Sequence, residues 1–161
     1  MLKTLALGGG MALLASGAFA CDTVTSKVVP LSFCIDGGMW VPSKATAPQE
    51  FVYFDKDQNL GLAVITELGN ANEADFRTGI LNNAGGGAAK LLGERTESVD
   101  GHDWHVLEYS VDVGGTTLDY QNFYVVNPGV GGIQMVFFST PQDLTKTAVR
   151  AGMILGSVKL D

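Results

Sequence analysis

Four apolar, β-branched or aromatic runs in the second half of the chain are separated by very short turns, and this spacing constrains the fold more than any other feature. Glu94 to Val99 leads through Asp100-Gly101 to Trp104–Val113. Gly114-Gly115 turns the chain into Thr117–Val126, and Asn127-Pro-Gly-Val-Gly-Gly132 turns it again into Ile133–Ser139. Parallel neighbours need a long crossover, so connections this short demand antiparallel pairing. Alternation assigns the faces. Leu107, Tyr109, Val111 and Val113 share one face of their strand, and Leu118, Tyr120, Tyr124 and Val126 share one face of the next.

Upstream, Phe51–Phe54 and Leu60–Thr66 flank the turn chemistry of Asp55–Asn59 and read as a hairpin. Leu31–Ile35 reads as a short strand, Gly37–Pro42 as a turn carrying Trp40, and Lys44–Gln49 as a loop. Two helices are predicted. Asn72 is an N-cap with Asp75 three residues on, followed by Phe76, Ile80 and Ala84, until Gly85-Gly86-Gly87 ends or frays the helix. Thr140-Pro141 opens the second, whose apolar stripe is Leu144, Ala148, Ala151, Leu155 and Val158. The expected class is α+β, a central antiparallel sheet flanked by helices.

The first residues have the character of an export signal. Lys3 precedes an apolar run from Leu5 to Ala15, and small residues stand at Ala18 and Ala20, where a signal peptidase requires them. The run is shorter than the roughly twenty apolar residues that span a bilayer. The organisation expected is a signal peptide at 1–20, an N-terminal tether at 21–30 and a single domain at 31–161, with periplasmic or secreted localisation and no transmembrane segment in the mature chain. Without Lys3 the balance is 9 basic against 17 acidic residues, or −8. With no Lys/Arg cluster, that charge disfavours nucleic acid and anionic lipid as partners.

Cys21 and Cys34 are the two cysteines. In an oxidising compartment they pair, and closing a loop of about 14 residues contributes on the order of 3 kcal/mol. The alternative is lipid attachment at Cys21, although Ala18 and Phe19 suit a lipoprotein signal poorly and Cys34 would be left as a free thiol.

No catalytic constellation emerges. His102 and His105 are three apart on an expected strand and so point to opposite faces. Asp55-x-Asp57-x-Asn59 resembles the start of a calcium loop, but Leu60 stands where the turn glycine belongs and Thr66 where the bidentate acid belongs. Neither glycine cluster sits between a strand and a helix as a phosphate cradle requires. The reading is therefore no catalytic residue, no metal and no cofactor. Trp40, Tyr109, Tyr120 and Tyr124 are the aromatic residues that either pack the core or anchor a partner.

The order of elements resembles the PsbP-like superfamily, which includes Mog-type proteins and bacterial DcrB-like envelope proteins. The resemblance is carried by Gly37-x-x-Trp40, a hairpin and helix, the strand end Val99-Asp100-Gly101, three meandering strands with Tyr109 and Tyr124, and a closing helix at Ile154–Val158. It implies an α/β/α sandwich used as a binding or accessory module, with relatives that bind a photosystem, a small GTPase or hydrophobic segments of effectors. The expected function is that of an exported, non-enzymatic accessory protein of the bacterial envelope, working through contacts with an unidentified envelope protein. The alternative is a periplasmic protein that binds a small molecule in a pocket between sheet and helix, or an ion at Asp55–Asn59.

Overall fold

The computed structural model describes residues 21–57, 59–69, 72–84, 89–127 and 130–160. The signal-peptide reading of 1–20 and the triple glycine at 85–87 lie outside the described residues. Strands β3 (Trp40–Ser43), β4 (Gln49–Asp55) and β5 (Leu60–Leu68) form one antiparallel meander. Strands β6 (Lys90–Val99), β7 (His102–Val113), β8 (Thr116–Asn127) and β9 (Gly131–Ser139) form a second. The two meanders join because β9 pairs with β5, giving a seven-stranded sheet ordered β3-β4-β5-β9-β8-β7-β6.

That order explains the first helix. After β5, at the middle of the sheet, the chain must reach the far edge to begin β6. Helix α1 (Glu73–Asn83) makes this traverse across one face. It starts where the sequence expects, with the Asn72 side chain accepting the Asp75 N–H at 2.9 Å. Phe76 and Ile80 are buried against Leu107, Tyr109, Val111 and Tyr124. Phe76 lies over Gly132, where a Cβ would collide with its ring.

The opposite face is covered more completely. Helix α2 (Leu144–Leu155), entered through a 3-10 turn at Pro141–Asp143, packs there beside a three-stranded sheet. In that sheet β2 (Leu31–Ile35) lies between β1 (Asp22–Thr25) and β10 (Lys159–Leu160). Trp104, Val106, Phe123, Met135 and Phe137 from the large sheet meet Phe33, Ile154 and Val158 in the main core.

Several sequence expectations are corrected. Asp22–Thr25 is a strand, not part of a tether, because its backbone pairs along β2 and the Cys21–Cys34 disulfide fixes its start. Trp40 lies in β3, not in a turn, with Lys56 N–H and the Asp55 register tying the segment to β4. Strand β6 starts at Lys90, earlier than Glu94. The buried stripe of α2 is Thr147, Ala151, Ile154 and Leu155, while Leu144 is exposed. The polar Thr147 is admitted because its hydroxyl bonds Ser139 Oγ at 2.7 Å and the Asp143 carbonyl at 2.9 Å. Predominantly antiparallel sheet with two short helices describes the fold better than a full α/β/α sandwich, since α2 shares its layer with strands and α1 covers part of its face.

Candidate functional site

The α1 face is only partly covered, and beside the helix lies a half-open groove of about 740 Å³. Strands β5, β8 and β9 supply its floor through Ala63, Ile65, Asn122, Gln134, Val136 and Phe138. Register orders these residues from one end to the other. Glu67 pairs with Gly132, Ile65 with Gln134, Ala63 with Val136 and Gly61 with Phe138. Since Phe76 lies over Gly132 and Asp75 precedes it, Glu67 and Asp75 share one end. At the other end Tyr120 is stacked between Tyr109 (5.1 Å between ring centres) and Phe138 (5.6 Å). The groove therefore runs from an acidic end across amides and aliphatics to an aromatic end.

The amides are the unusual part. Asn122 is 1 % exposed, in a central strand, beside Gln134 and among Tyr109, Tyr120, Tyr124 and Val136. Its Nδ2 donates to Gln134 Oε1 at 2.9 Å, yet its Oδ1 has no hydrogen-bond partner among the described residues. A buried polar atom without a partner costs about 1–3 kcal/mol, and Trp104 Nε1, Gln121 Oε1 and Arg150 Nη1 are in the same position elsewhere among the described residues. Next to it, burial pushes the Tyr109 phenol up to about 12 against the opposing pull of a side-chain hydrogen bond with Asn122, with Tyr120 adding to the rise. Burial also raises Tyr120. Both phenols are neutral at physiological pH, and neither brings charge to the groove.

The four aromatic residues singled out in the sequence are not brought together. Tyr109 and Tyr120 line the groove. Tyr124 is buried beneath α1 against Phe76, and Trp40 is buried on the opposite face, 3 % exposed. Trp40, Tyr109 and Tyr124 thus present no exposed anchor, while Tyr120 is half-buried. Alternation along the strands turns the first three inward. Asn122 and Gln134 escaped the sequence reading, though a signal was present. Position 122 falls on the same face as Leu118, Tyr120, Tyr124 and Val126, and an amide interrupting that series marks a polar floor.

The other sequence candidates fall elsewhere. His102 is exposed near the Asp100-Gly101 turn, while His105 is on the α1 face, stacked on Tyr124 and 3.2 Å from Glu73. They do not converge. In the Asp55–Asn59 hairpin, the buried Asp55 carboxylate accepts the N–H groups of Asn59 at 2.8 Å and Leu60 at 3.2 Å, and Lys146 of α2 at 2.8 Å. Burial works against its charge. The Lys146 ammonium and the two backbone N–H groups outweigh burial and hold the carboxyl below its ordinary value. That carboxylate ties hairpin to helix, which accounts for its place in the sequence without an ion.

Cys21 and Cys34 are joined by a disulfide, which occupies the sulfur that a lipid anchor on Cys21 would require. No helix among the described residues is long and apolar enough to cross a membrane.

No protein-family model matches the chain, and no curated protein matches it in sequence. Solved structures do. CyanoP, the cyanobacterial PsbP of Synechocystis sp. PCC 6803, superimposes with a TM-score of 0.65 over 98 % of this chain and 99 % of its own, at 16 % identity. The fold is PsbP-like. LpqN of Mycobacterium tuberculosis, described as involved in cell envelope biogenesis, matches with a TM-score of 0.53 at 13 % identity, over 86 % of this chain and 82 % of its own. A Bacteroides thetaiotaomicron VPI-5482 protein matches with a TM-score of 0.56 at 14 % identity, over 86 % of this chain and 48 % of its own. At such identities the PsbP-like likeness is one of fold.

Proposed function

We infer that the chain is an exported, non-enzymatic accessory protein of the bacterial envelope that binds another protein in the groove beside α1. The observation that carries this reading is the groove itself, a half-open surface beside α1 lined by Ala63, Ile65, Val136, Phe138 and Tyr120, with the exposed carboxylates of Glu67 and Asp75 at one end. Support for the compartment comes from the signal-like residues 1–20, from the Cys21–Cys34 disulfide, which suits an oxidising environment, and from the envelope role in the description of LpqN. Support for a non-catalytic role comes from where the titratable groups stand. The two histidines stand on opposite faces, and Asp55 is committed to Lys146.

Crosslinking in cells tests this directly. A photoreactive residue at Asn83, on the groove wall, is expected to capture one protein, and the same residue at Val149, exposed on α2, is not. Capture from both positions, or from Val149 alone, moves the partner surface to the α2 face and overturns the reading. A groove of this volume also falls within the range of small-molecule sites, which run from about 300 to 1,000 Å³. If Asn83 captures nothing while apolar ligands raise the melting temperature, the small-molecule reading replaces the protein one.

A further inference from the structure

The two edges of the seven-stranded sheet are guarded unequally. Strand β3 is four residues long and holds Pro42, a short, proline-bearing edge that resists further pairing. Strand β6, at the other edge, is ten residues long and has no proline. Past the irregularity at Leu91 and Gly93, its Glu94–Ser98 stretch follows β7 in unbroken register. Asp100 and Gly101 form a two-residue turn, so the closing pair of Val99 and His102 is hydrogen-bonded and the pattern alternates from there. Val99, Glu97 and Arg95 therefore spend their backbone groups on β7, while Ser98, Thr96 and Glu94 turn theirs outward. These three residues are exposed, and among the described residues no other element hydrogen-bonds to their outward groups.

The side chains of this edge complement themselves. Arg95 and Glu97 share one face, where Arg95 Nε donates to Glu97 Oε1 at 2.7 Å, and Glu94 accepts from Arg77 on the other. We propose that β6 is a self-association edge, where a second copy of this chain pairs antiparallel about a two-fold axis through Thr96. That register sets Thr96 opposite its own copy, Glu94 opposite Ser98, and Arg95 opposite Glu97 on both sides of the axis. The outward N–H and C=O groups of Glu94, Thr96 and Ser98 then meet one another. Moving the axis to Glu94 or Glu97 sets carboxylate against carboxylate, and moving it to Arg95 sets guanidinium against guanidinium. At Ser98 the pairing runs off the strand into the Asp100-Gly101 turn. The chain as a whole carries −7, which opposes self-association at long range, but this edge carries both signs. The axis stands perpendicular to the sheet, so both α1 helices lie on one side of the dimer. A strand pair this short buries less than the roughly 1,200 Å² of a standard interface, so association is expected to be micromolar or weaker.

Sedimentation equilibrium of the disulfide-bonded protein over about 10–500 μM tests the proposal, with the mean mass expected to climb toward twice that of one chain. Thr96→Pro removes an outward N–H without touching the β7 ladder and should weaken association about tenfold or more. Arg95→Glu alone and Glu97→Arg alone each set like charges across the axis, and each should stay monomeric. An equal mixture of these two variants restores opposite charges at both positions and should dimerise again. Neither chain of the mixture regains its internal Arg95–Glu97 pair, so recovery reports contact between copies. Circular dichroism of each variant separates loss of association from loss of fold. A single monomer mass at every concentration would overturn the proposal. A dimer indifferent to all three substitutions would move the contact to another surface and overturn it equally. A mixture that stays monomeric while the original protein dimerises would overturn the Thr96 register.

Discussion

The two faces of the seven-stranded sheet are built from the same strands and finished differently. On the α2 face, a helix and a three-stranded sheet close over Trp104, Phe123, Met135 and Phe137, and the main core forms there. Asp55, the carboxylate buried on this side, is held by Lys146 and two backbone N–H groups. On the α1 face, one eleven-residue helix packs over Leu107, Tyr109, Val111 and Tyr124 and leaves Ala63, Val136 and Phe138 beside a groove. Helix and small sheet seal one side, while the other keeps a half-open groove beside its helix. A sheet twisted in the usual way needs cover on both faces only where its side chains are apolar enough to demand it.

That contrast predicts a graded response to substitution. The largest effect belongs to Trp104, fully buried on the α2 face: Trp104→Ala should cost about 4 kcal/mol, read as a lower denaturant midpoint. Trp104→Phe should cost markedly less, because it also removes an indole N–H that has no partner. Next comes Asp55→Ala, which strands two backbone N–H groups and should cost about 3 kcal/mol. Its pH signature has a definite sign. The folded carboxyl lies below the ordinary 3.8, so its contribution is complete above that value and disappears as pH falls through the lowered folded pKa. An acid-melting curve of Asp55→Asn that superimposes on the original would remove this assignment.

Replacing both Cys21 and Cys34 by Ser should cost on the order of 2–3 kcal/mol while leaving the large sheet intact, which amide hydrogen exchange would show strand by strand. The smallest expected change is at Asn122. Asn122→Leu should cost about 1 kcal/mol, since it removes one orphaned oxygen but leaves Gln134 Oε1 without the Asn122 donor. A loss as large as that of Trp104→Ala would make the amide structural and erase the difference between the faces.

Much of this molecule is legible in its sequence, for identifiable reasons. Asp100 and Gly101 adopt φ of 52° and 77°, the doubly left-handed turn that a two-residue hairpin requires, and Asp-Gly announces it. Asn72 and Asp75 announce the start of α1 in the same local way. What was missed depends on distant parts of the chain. Strand β1 has little apolar content and exists because β2 lies beside it. Trp40 reads as a loop residue because Gly37 and Gly38 precede it, and only pairing with β4 draws it inward. Helix α2 buries Thr147 and Ile154 in place of Leu144 and Ala148, and Ser139 gives Thr147 a partner that spacing cannot reveal. The groove was hidden for the opposite reason: a polar residue in an inward position reads as noise until the strands beside it are in place.

The small sheet also sets an order of events for a chain made from its N-terminus. Cys21 and Cys34 are separated by 13 positions and can meet soon after they emerge. The other edge of β2 must wait, since Cys34 N–H is answered by Ser157 Oγ, 123 residues away, and the Lys159 and Leu160 backbone pairs with Ser32 and Leu31. The segment synthesised among the earliest therefore finishes folding among the last, with one edge held by a covalent loop and the other exposed until the C-terminal strand arrives.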